Sequence, residues 1–200
     1  MRRITFAWIV LLTAMLLALP HGARATAYKI DPDHTSVLFH IRHLFTTVTG
    51  RFERFDGKIV IDENNPSKVS VEGSIDAASI NTNVEKRDKH LRAKDFFDVE
   101  KHPKITFRTT GVSDVDGKTK TAKLSGMLAI HGVEKPVILD AAYLGKGKDP
   151  WGNERAGFHA TATINRKDFG LNWNEVLETG GFLLGDEVKI EIDAEGLVPK

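Results

Sequence analysis

The chain has 200 residues, and its 28 Lys and Arg against 27 Asp and Glu leave a formal net charge of +1. That balance argues against nucleic-acid binding, which needs a clustered basic face. Cysteine is absent, so disulfides and thiolate chemistry are excluded and the fold must rest on its apolar core.

In chain order, Arg2 and Arg3 precede an apolar run from Phe6 to Leu19, broken by Thr13 alone and stopped by Pro20 and Gly22. Ala23-Arg24-Ala25 follows with small residues at a cleavage position. This order predicts a secretory signal over residues 1–25, an exported product and a periplasmic address. The run is shorter than the roughly 20 residues of a membrane-spanning helix, so a retained anchor is the lesser reading. Residues 26–200 are expected to form one domain carrying 25 basic and 27 acidic residues, a net charge of −2.

Period-two alternation dominates that domain, as in strands with one buried face. Tyr28–Ile30 leads into Ser36–Leu44, where Val37, Phe39, Ile41 and His43 share a side. A weak helical turn is expected near 43–47. Phe55–Ile61 and Val69–Ile75 alternate in the same way. Thr82 and Glu85 have capping-box spacing, predicting a helix to about Lys94, with Pro103 closing the connection. Further strands are expected at Ile105–Thr109, Ala122–Ile130, Pro136–Leu144, Ala156–Asn165 and Val188–Ala194, and a second helical turn near Trp173–Leu177. Asp114-Val115-Asp116-Gly117 and His131-Gly132 read as tight turns and Asn64-Asn65-Pro66 as a looser one.

Eight mostly antiparallel strands can close into a barrel or stack as a sandwich. Gly57, Gly73, Ala160 and Ala162 fall in the apolar row. They either leave an internal tunnel or merely ease strand coiling. Alternation alone leaves both open. An outer-membrane barrel exchanges inside and outside, but it needs aromatic girdles, and residues 26–200 hold only two Tyr and two Trp.

Chemistry finds little support. No Ser sits in a Gly-x-Ser-x-Gly elbow, and Asp88, Asp95 and Asp98 are interleaved with Lys and Arg. His40 and His43 face opposite ways on a strand. The remaining histidines lack the paired spacing of a zinc helix, so no metal ligand is assigned, although a site built from distant strands stays open. His43 points inward at a strand end, where it either bonds within the fold or touches a ligand.

Five blocks in order resemble the YceI-like family: His34 to Leu44, Arg87 to Arg92, Asp95 to Asp98 with Pro103 and Phe107, Leu128 to Val133 with Lys135 to Val137, and Asn165 to Leu171 with Trp173. Ala93 and Ala129 stand where that family commonly carries Ser and Thr. The resemblance implies an all-β, eight-stranded antiparallel lipocalin-like barrel with one short helical connection. It also implies a lumen holding a polyisoprenoid, a quinone-like lipid or a fatty-acid-derived lipid, with homodimers and transient membrane contact as further expectations. No other cofactor is expected. Strand parity then assigns the wall to Val37, Phe39, Ile41, Phe55, Ile59, Val71, Ile75, Ile105, Phe107, Leu124, Leu128, Ile130, Phe158, Ile164 and Ile190. Leu91, Phe96 and Phe97 are expected to cover the lumen or to serve in the core, with His43, Trp173, Arg87 and Arg92 as head-group candidates; a solvated surface position or an ion pair with Asp88 is the plainer reading of the two arginines. A small enzyme acting on an isoprenoid head group, and a stress-related interaction protein with a filled barrel, are the alternatives.

Overall fold

The computed structural model describes residues 25–178 and 180–199. The expected signal segment therefore lies outside the described residues except for Ala25. The strands are β1 (Thr26–Ile30), β2 (Ser36–His43), β3 (Thr46–Phe52), β4 (Phe55–Ile61), β5 (Ser70–Asp76), β6 (Ile80–Asn81), β7 (Lys104–Asp116), β8 (Thr121–Ile130), β9 (Val133–Lys148), β10 (Glu154–Asn165) and β11 (Leu184–Leu197). The helix α1 (Glu85–Arg92) lies between β6 and β7.

Antiparallel pairing runs β1-β4-β5-β7-β8-β9-β10-β11, and β11 returns to β1 through Lys29↔Leu197 and Ile30↔Gly196. The result is a closed eight-stranded barrel. Closure removes the exposed edges that an open sheet would leave. The strands β2, β3 and β6 continue β1, β4 and β5 past short breaks, and pair in the order β11-β2-β3-β6. One break is the 3-10 turn Pro32–His34, capped by the Asp31 carboxylate accepting from Asp33 N at 3.1 Å.

At this end the ring opens beside β6, and the segment leading into α1 fills the gap. Backbone groups on that free edge need partners, and side chains of α1 supply them. Arg92 Nε and Nη2 donate to the carbonyls of Ala78 and Ile80 at 2.8 and 2.7 Å. Asp88 Oδ1 accepts from Thr82 N at 2.8 Å and from its hydroxyl at 2.5 Å. Arg87 donates to Thr82 Oγ1 and O.

Several local expectations change. The turn expected near 43–47 is the β2–β3 hairpin, and the β-branched Thr46, Thr47, Val48 and Thr49 carry it on as strand. No capping box forms, because the hydroxyl of Thr82 is engaged by Asp88 and Arg87 and the N-cap is Val84. Neither arginine pairs with Asp88; both bind the edge instead. The segment from Trp173 to Leu177 is not helical: Asn174 bonds the backbone of Leu184 in both directions, and Val176 bridges to Phe182. The strand β7 runs through Asp114, and its turn comes later, where Asp116 Oδ1 accepts from Lys118 N and Thr119 N. His131 and Gly132, both at positive φ, form the expected two-residue turn.

The buried apolar side chains gather in three clusters, one of them Leu124, Leu139 and Ala162. Near α1, Val37, Phe52, Ile80, Ile105, Leu128, Ile130, Phe169 and Leu171 form one cluster. Toward the other end, Tyr28, Ile61 and Ala156 form a second, against Tyr143 and Phe158.

Candidate functional site

The inner row of the barrel surrounds one cavity of about 1110 Å³, above the usual range for small-molecule sites. Its wall is apolar over nearly the whole length. Of the twenty-two positions named from the sequence, twenty besides the two arginines line it: Val37, Phe39, Ile41 and His43 from β2; Phe55 and Ile59 from β4; Val71 and Ile75 from β5; Leu91 from α1; Phe96 and Phe97 beyond it; Ile105 and Phe107 from β7; Leu124, Leu128 and Ile130 from β8; Phe158 and Ile164 from β10; Trp173; and Ile190 from β11. Arg87 also borders the cavity, whereas Arg92 does not. Phe39, Ile41, Phe55, Val71, Ile75, Phe107, Phe158, Ile164 and Ile190 point inward yet are only half-buried. A plugged core would bury such side chains fully.

The opposite faces are charged. Lys58 stands across from Glu72, and Glu72 across from Arg108, in neighbouring strands. Lys123 Nζ lies 2.8 Å from Asp140 on the same outer side. A barrel facing lipid with its outside needs an apolar outer band instead.

Small residues act in more than one way. A Cβ on Gly73 would meet nothing within 4 Å, so this position opens onto the cavity. On Gly57 it would meet the carbonyl of Glu72 at 2.9 Å, so close strand approach requires that glycine. Ala162 is buried with Leu124 and Leu139 and leaves no space. Gly50 and Gly126 seat the rings of Phe39 and Phe107, which would lie 2.2 and 2.3 Å from an added Cβ.

The mouth beside α1 is polar and aromatic, with His43, Thr82, Arg87, His90 and Trp173 on its border. The rings of His90 and Trp173 meet edge-on at 4.9 Å, and Phe96 lies 5.1 Å from Trp173. Arg166, buried at the end of β10, holds this loop by donating to the carbonyls of Leu171, Trp173 and Gly185. At the far end, Glu63, Asp116, Lys120 and Tyr143 border the cavity. The Tyr143 hydroxyl donates to Glu63 at 3.3 Å, and Lys146 sits 2.6 Å from the same carboxylate. Burial first, and the Glu63 charge second, push the Tyr143 phenol well above its ordinary range.

Sequence reading missed Val48 and Phe52 on the wall because β3 was not read as a strand. Ile61, Val137, Leu139, Tyr143 and Ile192 follow the alternation already recognised and could have been named with it. The role of Arg166 had no local signal, since its partners are carbonyls fixed by tertiary structure.

These features define a class: a closed antiparallel β-barrel of eight strands around an axial apolar chamber with polar ends, large enough to hold one ligand. The family model described as the YceI-like domain matches residues 28–196, and the chain belongs to the YceI-like family. A UPF0312 protein of Pseudomonas paraeruginosa is 41% identical over 178 residues, 88% of each chain. The solved YCEI protein of Campylobacter jejuni is 30% identical with a TM-score of 0.66, covering 80% of this chain and 91% of that one. A polyisoprenoid binding domain from Saccharophagus degradans shares the fold with a TM-score of 0.62 at 18% identity, covering 87% of this chain and 99% of that one.

Proposed function

We propose that the protein binds a long-chain apolar lipid, a polyisoprenoid or a similar amphipathic chain, in the barrel lumen, and that it acts as a periplasmic carrier and not as a catalyst. The observation that carries this reading is the accessible apolar wall: inward Phe, Ile and Val side chains that the protein itself only half buries. Transfer of hydrocarbon onto such a wall contributes on the order of 0.8 kcal/mol per methylene. Micromolar affinity corresponds to about 8 kcal/mol, or roughly ten methylene equivalents before the costs of association are subtracted. The lumen contact has little directional chemistry, so chain length and chamber shape select the tail. The polar mouth at His43, Thr82, Arg87 and His90 suits the hydroxylated or charged end of such a molecule. The shared fold with a domain described as polyisoprenoid-binding points the same way.

The test is titration of delipidated protein with a long polyprenol, followed through the fluorescence of Trp173. Saturable binding of one lipid per chain is expected. Gly73→Phe, whose side chain enters open lumen, should obstruct the chamber and weaken binding while the barrel stays folded, as should Phe39→Asp by placing a charge in the wall. Unchanged binding by a folded Gly73→Phe variant contradicts the lumen site.

A further inference from the structure

Outside the lumen, the connection after α1 and the β8–β9 turn bring three metal-ligating side chains together. Their ligand atoms, one each from Asp98, His102 and His131, lie within 4.8 Å of one another. Two come from one local turn: the Asp98 carbonyl accepts from Lys101 N at 2.9 Å and His102 N at 2.8 Å, which gathers residues four apart as one helical turn would. The third is delivered by the hairpin turn His131-Gly132. A side chain at position 132 would strike the His102 ring at 2.7 Å, so the glycine lets the two imidazoles meet, with centroids 4.7 Å apart.

The Asp98 carboxylate adds an independent sign. Its side chain is only 9% exposed, yet its one ionic neighbour is Lys101 at 3.2 Å, a side chain that is itself 68% exposed. A buried carboxylate normally gathers several hydrogen bonds, and among the described residues this one has only that lysine contact. Neither imidazole makes a side-chain hydrogen bond there either. The other carboxylate–histidine cluster, Asp31, His34 and Glu195, differs: Arg155 already occupies both acids.

We propose that Asp98, His102 and His131 bind a divalent transition-metal ion of the Zn²⁺ type. Two imidazoles and a carboxylate suit Zn²⁺, Co²⁺ or Ni²⁺ and suit Ca²⁺ or Mg²⁺ poorly. Bonds of about 2.0–2.2 Å place tetrahedral ligands roughly 3.4 Å apart, so imidazole rotation closes the remaining ångström or so, and Lys101 swings into solvent as the ion takes its place. The ion ties residues 98–102 to the β8–β9 turn. It thereby fixes the segment whose Phe96 and Phe97 cover the lumen. The site stands independently of what the lumen holds.

Chelator-stripped protein titrated with ZnCl₂, and in parallel with CoCl₂, tests this by calorimetry and by visible absorption. One ion per chain is expected, with a Co²⁺ spectrum of low coordination number. His102→Gln and His131→Asn, the latter keeping a residue that tolerates the left-handed turn, should each weaken binding at least tenfold. Lys101→Ala keeps all three ligands and removes their competing cation, so it should tighten binding roughly two- to fivefold, a gain readable even where a histidine variant fails to fold. His34→Gln should bind as the parent does. No saturable binding, or equal affinity in folded His102→Gln and His131→Asn, overturns the site, as does loss confined to His34→Gln.

Discussion

Gly126 shows how a single residue can shape the chamber. The ring of Phe107 lies over it from the neighbouring strand, as that of Phe39 lies over Gly50. Each glycine pulls an aromatic side chain against the wall and out of the lumen. An added methyl must either strain the wall or push the ring inward, and overpacking of this kind costs about 1–3 kcal/mol. Gly126→Ala should therefore lower the chemical-denaturation midpoint and weaken polyprenol binding together; no change in either quantity refutes the seating role. The wall residues themselves were legible from alternation, because a strand's inward row needs only period two to be seen. The seating glycines were not, since the ring that needs each one belongs to another strand. The same holds for Arg92 and Arg166, whose partners are backbone carbonyls.

At the scale of elements, α1 substitutes for a missing strand. Among the described residues the edge of β6 has no strand beyond it at this end of the ring, and Asp88, Arg87 and Arg92 satisfy Thr82, Ala78 and Ile80 in place of a ladder. Buried Asp88 is the fastening point. Asp88→Ala leaves the Thr82 amide unpaired at a cost of about 1–3 kcal/mol. Hydrogen exchange across Glu85–Arg92 should accelerate while β7–β11 stay protected; equal protection in the variant would show that the helix is held by packing alone. A helix at this place could be read from Lys, Arg and Leu content, but its fastening could not, because Thr82 was free to serve either a capping box or the edge. The failure at β3 has a related cause. Its sequence, Thr-Thr-Val-Thr-Gly-Arg-Phe, places few apolar residues on the inner row, and the β-branched threonines that favour a strand carry no periodicity.

For the whole molecule, the balance lies between closing the ring and leaving its centre open. Direct β1–β11 pairing contributes only two register positions, and Arg155 reinforces that seam by bridging Asp31, Asp149 and Glu195. The Asp31 carboxylate is held below its ordinary range by the Arg155 hydrogen bond first, against the opposing effect of burial. The apolar clusters and this seam hold the barrel closed while an apolar cavity stays open inside it. Antiparallel pairing and a lumen-sized apolar row were expected from sequence, but alternation could not separate an open lumen from a filled barrel or sandwich. That difference depends on how far side chains reach across the ring. The most direct measurement is native mass spectrometry of the protein released gently from the envelope of its own cells. One long-chain isoprenoid or comparable lipid per chain, expelled only on collisional activation, is the expected spectrum; a bare polypeptide mass from a folded barrel that also rejects added polyprenol would contradict the account.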